Sequence, residues 1–236
     1  MNTNSNSYTI IYASVLVVIV AFLLAFVSSA LKPTQDKNVQ LDKKKQILAA
    51  LNLRDIPKDQ IEAKYDEVIK ADMVIKADGS VVKAGENKDQ DGFNVDNKSI
   101  TAENLPLYVC EINGETKYVV PMSGRGLWGG LWGYMAVNSD CATIFGTYIS
   151  HESETAGLGS LIAEEKFQVL FQNKKIFSDP ASSEVALHVV KNGKVEKGQE
   201  DYQVDGITGA TLTTNGVDAM VNAGLQQYVG FFKANK

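Results

Sequence analysis

The sequence predicts an α+β protein: a single N-terminal transmembrane helix, then a mixed domain built on an antiparallel sheet flanked by helices. Three observations carry this. Residues 8–31 hold no charged side chain and 10–27 are almost wholly aliphatic or aromatic, a length of apolar chain that spans a bilayer as a helix. Further on, short runs rich in Val, Ile, Tyr and Thr are broken by Asp78-Gly79, Asn113-Gly114 and Asn192-Gly193, dipeptides that suit the positive-φ turns of hairpins. The chain closes on Val217, Met220, Val221, Leu225, Tyr228 and Val229, which recur at helical spacing.

Taken in order, residues 1–7 form a short polar N-terminus and 8–31 the transmembrane helix. A cleaved signal peptide is the rival reading, since Ser28-Ser29-Ala30 supplies small residues where cleavage would fall. Against it, no basic residue precedes the run, and the apolar core is long for a signal. Lys32, Lys37, Lys43, Lys44 and Lys45 all follow the span, so the positive-inside rule puts the large domain in the cytoplasm. Residues 32–70 read as a helical stalk or leading helices. One amphipathic helix covers 42–53, with Ile47, Leu48 and Leu51 on one face, and a second follows Pro57 with Ile61, Tyr65, Val68 and Ile69.

The domain proper is expected over 71–236. Residues 73–82 form a hairpin turning at Asp78-Gly79. Residues 84–98 are polar and read as a surface loop, in which Asp89, Asp91 and Asp96 are too few for a calcium loop. A second hairpin pairs 107–112 with 117–121 around Asn113-Gly114, and strands follow at 134–137 and 143–149. Leu161, Ala163 and Phe167 suggest a helix, and a third hairpin joins 185–190 to 194–195 at Asn192-Gly193. About 200 residues beyond the span suffice for one sizeable core.

Composition excludes several functions. Net charge is −5 and the basic residues are scattered, so nucleic acid is not a partner. Cys110 and Cys141 are too far apart for a compact metal signature, and with only His151 and His188 an imidazole site is improbable. Each cysteine sits among apolar residues and reads as a buried thiol, with a disulfide open if the domain lies outside the cytoplasm. No catalytic side chain and no metal site is expected.

Three segments carry chemistry. Residues 122–134 group glycines around Arg125 with both tryptophans, Trp128 and Trp132. This is either a tight turn entering a core strand or a loop whose backbone amides approach a planar ring. Residues 151–159, His-Glu-Ser-Glu-Thr-Ala-Gly-Leu-Gly, read as a turn in which Glu154 and Thr155 cap helix amides. Residues 205–214, Asp-Gly-Ile-Thr-Gly-Ala-Thr-Leu-Thr-Thr, are dense in hydroxyls and form a tight loop opening into a helix from Asn215. The bland reading makes Thr213 or Asn215 an N-cap and Gly209 a turn residue. The chemical one makes this helix start an anion site, because its first amides lack partners and face the positive end of the dipole.

The string from Asp205 to Thr211 resembles, without a gap, the flavin-attachment motif of the covalent flavoproteins of the sodium-pumping NADH:quinone oxidoreductase and the related Rnf complexes. Glu154-Thr155-Ala156-Gly157-Leu158-Gly159 is similar to that family's second flavin-domain segment, and the segments stand in the family's order. Residues 123–128 and 211–217 look more like the sodium pump's covalent flavoprotein than its Rnf counterpart, and Thr208 replaces a common serine.

The resemblance implies a mixed α/β FMN-binding domain with one FMN, joined by a flavin transferase through its phosphate to Thr211, with Thr213 as the nearby competitor. It implies a ring held by Leu127, Trp128, Thr155 and Leu158. Loop amides around Gly209, Ala210 and Leu212, with the Thr208 or Thr213 hydroxyl, would satisfy the phosphate; Asp205 would orient the loop by accepting backbone amides or be read by the transferase, and Ser123, Gly124, Glu154, Gly157 and Gly159 would complete the set. It further implies an electron carrier between a membrane iron–sulfur centre and a second flavin protein, in a bacterial inner-membrane complex with its large domain periplasmic. That orientation opposes the lysine pattern, though large domains cross regardless of charge. An electron-transport protein of the Rnf type, a stand-alone membrane-anchored flavoprotein and a tethered binding domain without cofactor remain open.

Overall fold

The computed structural model describes residues 5–86 and 88–236, in two compact units, Met1–Lys43 and Lys44–Lys236. Residues 1–4 of the polar N-terminus and Asn87 of the polar loop lie outside the described residues. The two helices expected at 8–31 and 42–53 are one helix, α1 (Asn6–Ala50), which runs through Pro33. Within the first unit it is long and apolar enough to cross a membrane. Its last turns, from Lys44, belong to the second unit.

The second unit carries a six-stranded sheet, β2 (Val81–Lys83), β1 (Ile69–Ile75), β3 (Leu105–Ile112), β4 (Glu115–Arg125), β5 (Gly130–Asn138) and β6 (Ile144–His151) in spatial order. Every pairing in it is antiparallel. The turn signals acted as expected: Gly79 and Gly114 adopt φ of 88° and 81° between the paired strands. Strand β1 begins at Ile69, directly after α2 (Ile61–Val68); its β-branched first residue leaves the helix one step before the amphipathic pattern ends.

Both faces of the sheet are covered. Val120, Met122, Leu131 and Met135 on one face join Val217, Met220, Val221 and Leu225 of α4 (Thr211–Gln227) in the main core. On the other, Trp132 Nε1 donates to Gln46 Oε1 at 3.3 Å and Tyr65 of α2 is fully buried. This alternation along β4 and β5 is what a sheet buried on two sides requires. The helix α5 (Val229–Ala234) closes the core with Phe231 and Phe232.

Two expectations fail locally. The helix expected near Leu161 is a 3₁₀ turn, Gly159–Ala163, then the single-turn α3 (Glu165–Gln168) and a second 3₁₀ turn over Val169–Phe171. Residues 194–195 do not return as a strand. Gly193 makes a turn at φ 71°, but β7 (His188–Val190) pairs parallel with β8 (Gln203–Asp205) instead. The intervening polar residues have no apolar face to bury, so the chain crosses over before pairing.

Candidate functional site

The loop after β8 is held from three directions. Asp205 Oδ1 accepts the Gly193 N–H at 2.8 Å, so the carboxylate caps the neighbouring turn. Asn192 Nδ2 donates to the Gly206 carbonyl at 3.1 Å. The Thr214 hydroxyl accepts the Ile207 N–H at 3.2 Å. A Cβ at Gly206 would collide with Thr214 and with the Val190 carbonyl, so only glycine lets the loop pass. Gly209 then turns at φ 78°, a conformation L side chains resist.

The helix α4 starts at Thr211, four residues before the expected Asn215, with Ala210 at the N-cap position and no side-chain cap. Neither Thr213 nor Asn215 is the cap: both already lie inside the helix. The hydroxyl-rich string reads as loop because threonine is a poor helix former; here buried partners for Thr213 and Thr214 outweigh propensity. The four threonine-loop hydroxyls therefore divide. Thr208 and Thr211 are exposed, whereas Thr213 and Thr214 are 2% and 1% exposed.

Glu154 joins the other two segments to this helix start. Its Oε2 accepts the Thr213 hydroxyl proton at 2.6 Å and its Oε1 accepts the Trp128 N–H at 2.9 Å. Burial pushes its carboxyl up, but hydrogen bonds from Thr213 and the Trp128 and Gly129 amides, with His151, outweigh this and hold it below its ordinary value. The expected cap role of Glu154 within its own turn is thus replaced by a bridge across the site. The glycines make room for it. A Cβ at Gly126 would collide with Oε1, and one at Gly159 would lie 2.8 Å from Oε2 and 2.6 Å from the Thr213 hydroxyl.

Residues 122–134 are neither loop nor core turn but a long hairpin. Strands β4 and β5 pair to the Arg125–Gly130 register, and Gly126 N–H donates to Gly129 O at 2.9 Å. Trp128 stands at its tip, 65% exposed. Ser153 Oγ donates to the Trp128 carbonyl at 3.0 Å, and Glu152 Oε2 accepts the Gly130 N–H at 3.1 Å. Leu127, Leu158 and Leu212 are exposed as well, and a Cβ on Gly209 would touch Leu158 at 3.2 Å.

Thr155 and Gly157 are exposed in the 151–159 turn, where Gly157 adopts φ 72° and donates to Ser160 Oγ. Ala210 is buried. Ser123 and Gly124 are not brought to this cluster. Ser123 Oγ donates to the Asn97 carbonyl at 3.2 Å, and Gly124 packs against Met220, nine residues along α4. Sequence reasoning missed Thr214 and Asn192, whose only signal was a hydroxyl or amide inside a glycine-rich turn region. A depression of about 260 Å³, lined by Leu161, Phe167, Leu170, Asn192, Ile207 and Thr208, borders the loop. It is smaller than ordinary ligand pockets of about 300–1,000 Å³. Among the described residues no group of three or more His, Cys, Asp or Glu side chains is placed to hold a metal.

Comparison with known proteins bears on the family and the fold. Residues 126–226 match the FMN-binding domain family. The chain is 35% identical over 233 residues to NqrC of the Na(+)-translocating NADH-quinone reductase of Haemophilus ducreyi, covering 92% of this chain and 88% of that one. It is 28% identical over 242 residues to NqrC of Pseudomonas aeruginosa, covering 94% and 92%. The crystal structure of NqrC from Parabacteroides distasonis superposes with a TM-score of 0.78 at 38% identity, over 87% of this chain and 98% of that one. That of Shewanella oneidensis NqrC shares the fold at a TM-score of 0.68 and 23% identity, over 84% and 98%.

Proposed function

The chain belongs to the NqrC family of the Na(+)-translocating NADH-quinone reductase, an oxidoreductase complex, and from that premise we propose that its FMN-binding domain carries one FMN esterified through the phosphate to Thr211. The observation that supports Thr211 over Thr213 is their environment: Thr211 faces solvent on the first residue of an uncapped helix, while Thr213 is buried with its proton committed to Glu154.

The residues present fit the cofactor. The first-turn amides of α4 have no side-chain partner and can neutralise a phosphate, aided by the helix dipole. The exposed Thr208 hydroxyl stands on the same loop. Leu127, Trp128, Leu158 and Leu212 present apolar surface that would receive the face of a planar ring. Bound FMN supplies reversible electron uptake and release; the chain supplies position, charge and an apolar face.

The domain serves as an electron carrier, receiving electrons from a membrane iron–sulfur centre and passing them to a second flavin protein. It works among the other subunits of a bacterial inner-membrane complex, anchored by α1 with its large domain on the periplasmic side, and a flavin transferase attaches the cofactor during maturation. Mass spectrometry of the proteolytic peptide spanning residue 211, from full-length chain made with the transferase, tests the assignment. The expected mass is that of the peptide plus FMN less one water. An unmodified peptide overturns it.

A further inference from the structure

We propose that Glu154 is the positioning residue of this site: one carboxylate fixes the tip of the β4–β5 hairpin against the first turn of α4, and by occupying the Thr213 hydroxyl leaves Thr211 as the first-turn hydroxyl open to modification. The inference rests on the reading of Thr211 as the acceptor, but its geometric half stands without it.

Three chain segments meet at this group, and two of them meet through its two oxygens. Oε1 holds the Trp128 amide at 2.9 Å and Oε2 the Thr213 hydroxyl at 2.6 Å. Its hydrogen bonds favour the ionised carboxylate, so both bonds are charge-assisted, and the residue is largely covered by its neighbours. Its own backbone N–H donates to His151 Nδ1 at 3.2 Å, which fixes the turn from which the side chain projects. Gly126 and Gly159 leave no side chain where the carboxylate lies. An anionic group at the start of an uncapped helix also offsets the positive end of its dipole. Without Glu154 the hairpin tip keeps the Gly126–Gly129 bond and the contacts of Ser153 and Glu152, all with its own or the adjacent segment. Among the described residues the Glu154 carboxylate is what ties Trp128 to α4 by hydrogen bonds.

The experiment uses full-length protein in detergent, made first without and then with the flavin transferase. In the unmodified protein, amide hydrogen exchange is followed at Trp128 and Gly129, with the central strands β3–β5 as an internal control. Glu154→Ala is expected to speed exchange at both amides by about tenfold or more, from the loss of a hydrogen bond to a charged group, with the central strands unchanged. Glu154→Gln keeps the shape, its carbonyl accepting from Trp128 and its amide donating to Thr213, and is expected to restore protection. In protein made with the transferase, flavin at residue 211 should fall in Glu154→Ala and recover in Glu154→Gln. Unchanged tip exchange in Glu154→Ala, or a Gln variant as fast as Ala, overturns the proposal. Absence of flavin from the parent chain would overturn the attachment reading alone, while the exchange data still judge Glu154.

Discussion

The Thr213 hydroxyl lies 2.6 Å from Glu154 Oε2, although 59 residues separate the two in the chain. Two residues earlier, Thr211 has its side chain in solvent. Thr211→Ala should therefore give folded, colourless protein, with a melting temperature close to that of the unmodified parent. Thr213→Val should keep flavin at residue 211 but lose about 1–3 kcal/mol of stability, because one buried carboxylate oxygen is left without its donor. Absorbance together with chemical denaturation of both variants checks the pair; flavin retained in Thr211→Ala would transfer the attachment elsewhere.

The Glu154 carboxyl is held below its ordinary value by its hydrogen bonds in spite of burial. A depressed folded-state pKa contributes stability above the unfolded value that is lost as pH falls through the folded one. Stability should thus decline on acidification below the ordinary glutamate range, and less steeply in Glu154→Gln. Asp72 works with the opposite sign. Burial pushes its carboxyl up, against hydrogen bonds from the Phe93 and Asp91 amides, so its contribution is greatest at low pH and falls as pH rises. The parent-minus-variant difference between about pH 3 and pH 7, measured by denaturant unfolding, isolates the Glu154 slope.

Gly216 and Gly224 let α4 settle onto β4. A Cβ at Gly216 would stand 2.5 Å from the Arg125 carbonyl oxygen, and one at Gly224 2.7 Å from Met122 Cγ. Glycine to alanine within a helix normally gains about 1 kcal/mol. At Gly216 the obstacle is backbone, which cannot turn aside, so Gly216→Ala should destabilise by about 1–3 kcal/mol. At Gly224 the obstacle is a flexible methionine, and the loss should be smaller. Equal unfolding midpoints for parent and Gly216→Ala would contradict this.

Cys110 and Cys141 are both free and buried. Burial raises the Cys110 thiol well beyond its ordinary range and pushes Cys141 up to about 11. A thiol reagent at neutral pH should find neither in the native protein and both after denaturation, since the thiolate is the reactive form. A disulfide between them, left open by the sequence, is not formed.

Much of the sheet was legible because its signals are local. Asp78-Gly79 and Asn113-Gly114 specify turns within a few residues, and the runs on either side of each turn pair as its hairpin strands. The start of α4 was misjudged because the threonines at 211, 213 and 214 argue against helix until the partners of Thr213 and Thr214, the distant Glu154 and the nearby Ile207 amide, are known. The parallel β7–β8 pair was missed for the same reason: Asn192-Gly193 specifies a turn but not which strand follows it. At the candidate site, the three segments were found by their composition, and Glu154 was named as a ligand. Its actual bonds span a hairpin, a turn and a helix, and no pattern in one dimension reports a group that unites all three.

The two indoles of the chain stand in unlike surroundings, Trp132 fastened to Gln46 within the domain and Trp128 open at the hairpin tip. Intrinsic fluorescence therefore reports two events at separable wavelengths. The shorter-wavelength emission follows the seating of the residues after Lys44 on the sheet. The longer follows the hairpin, and a flavin lying against it would quench that component first, so maturation of the protein can be watched without any label.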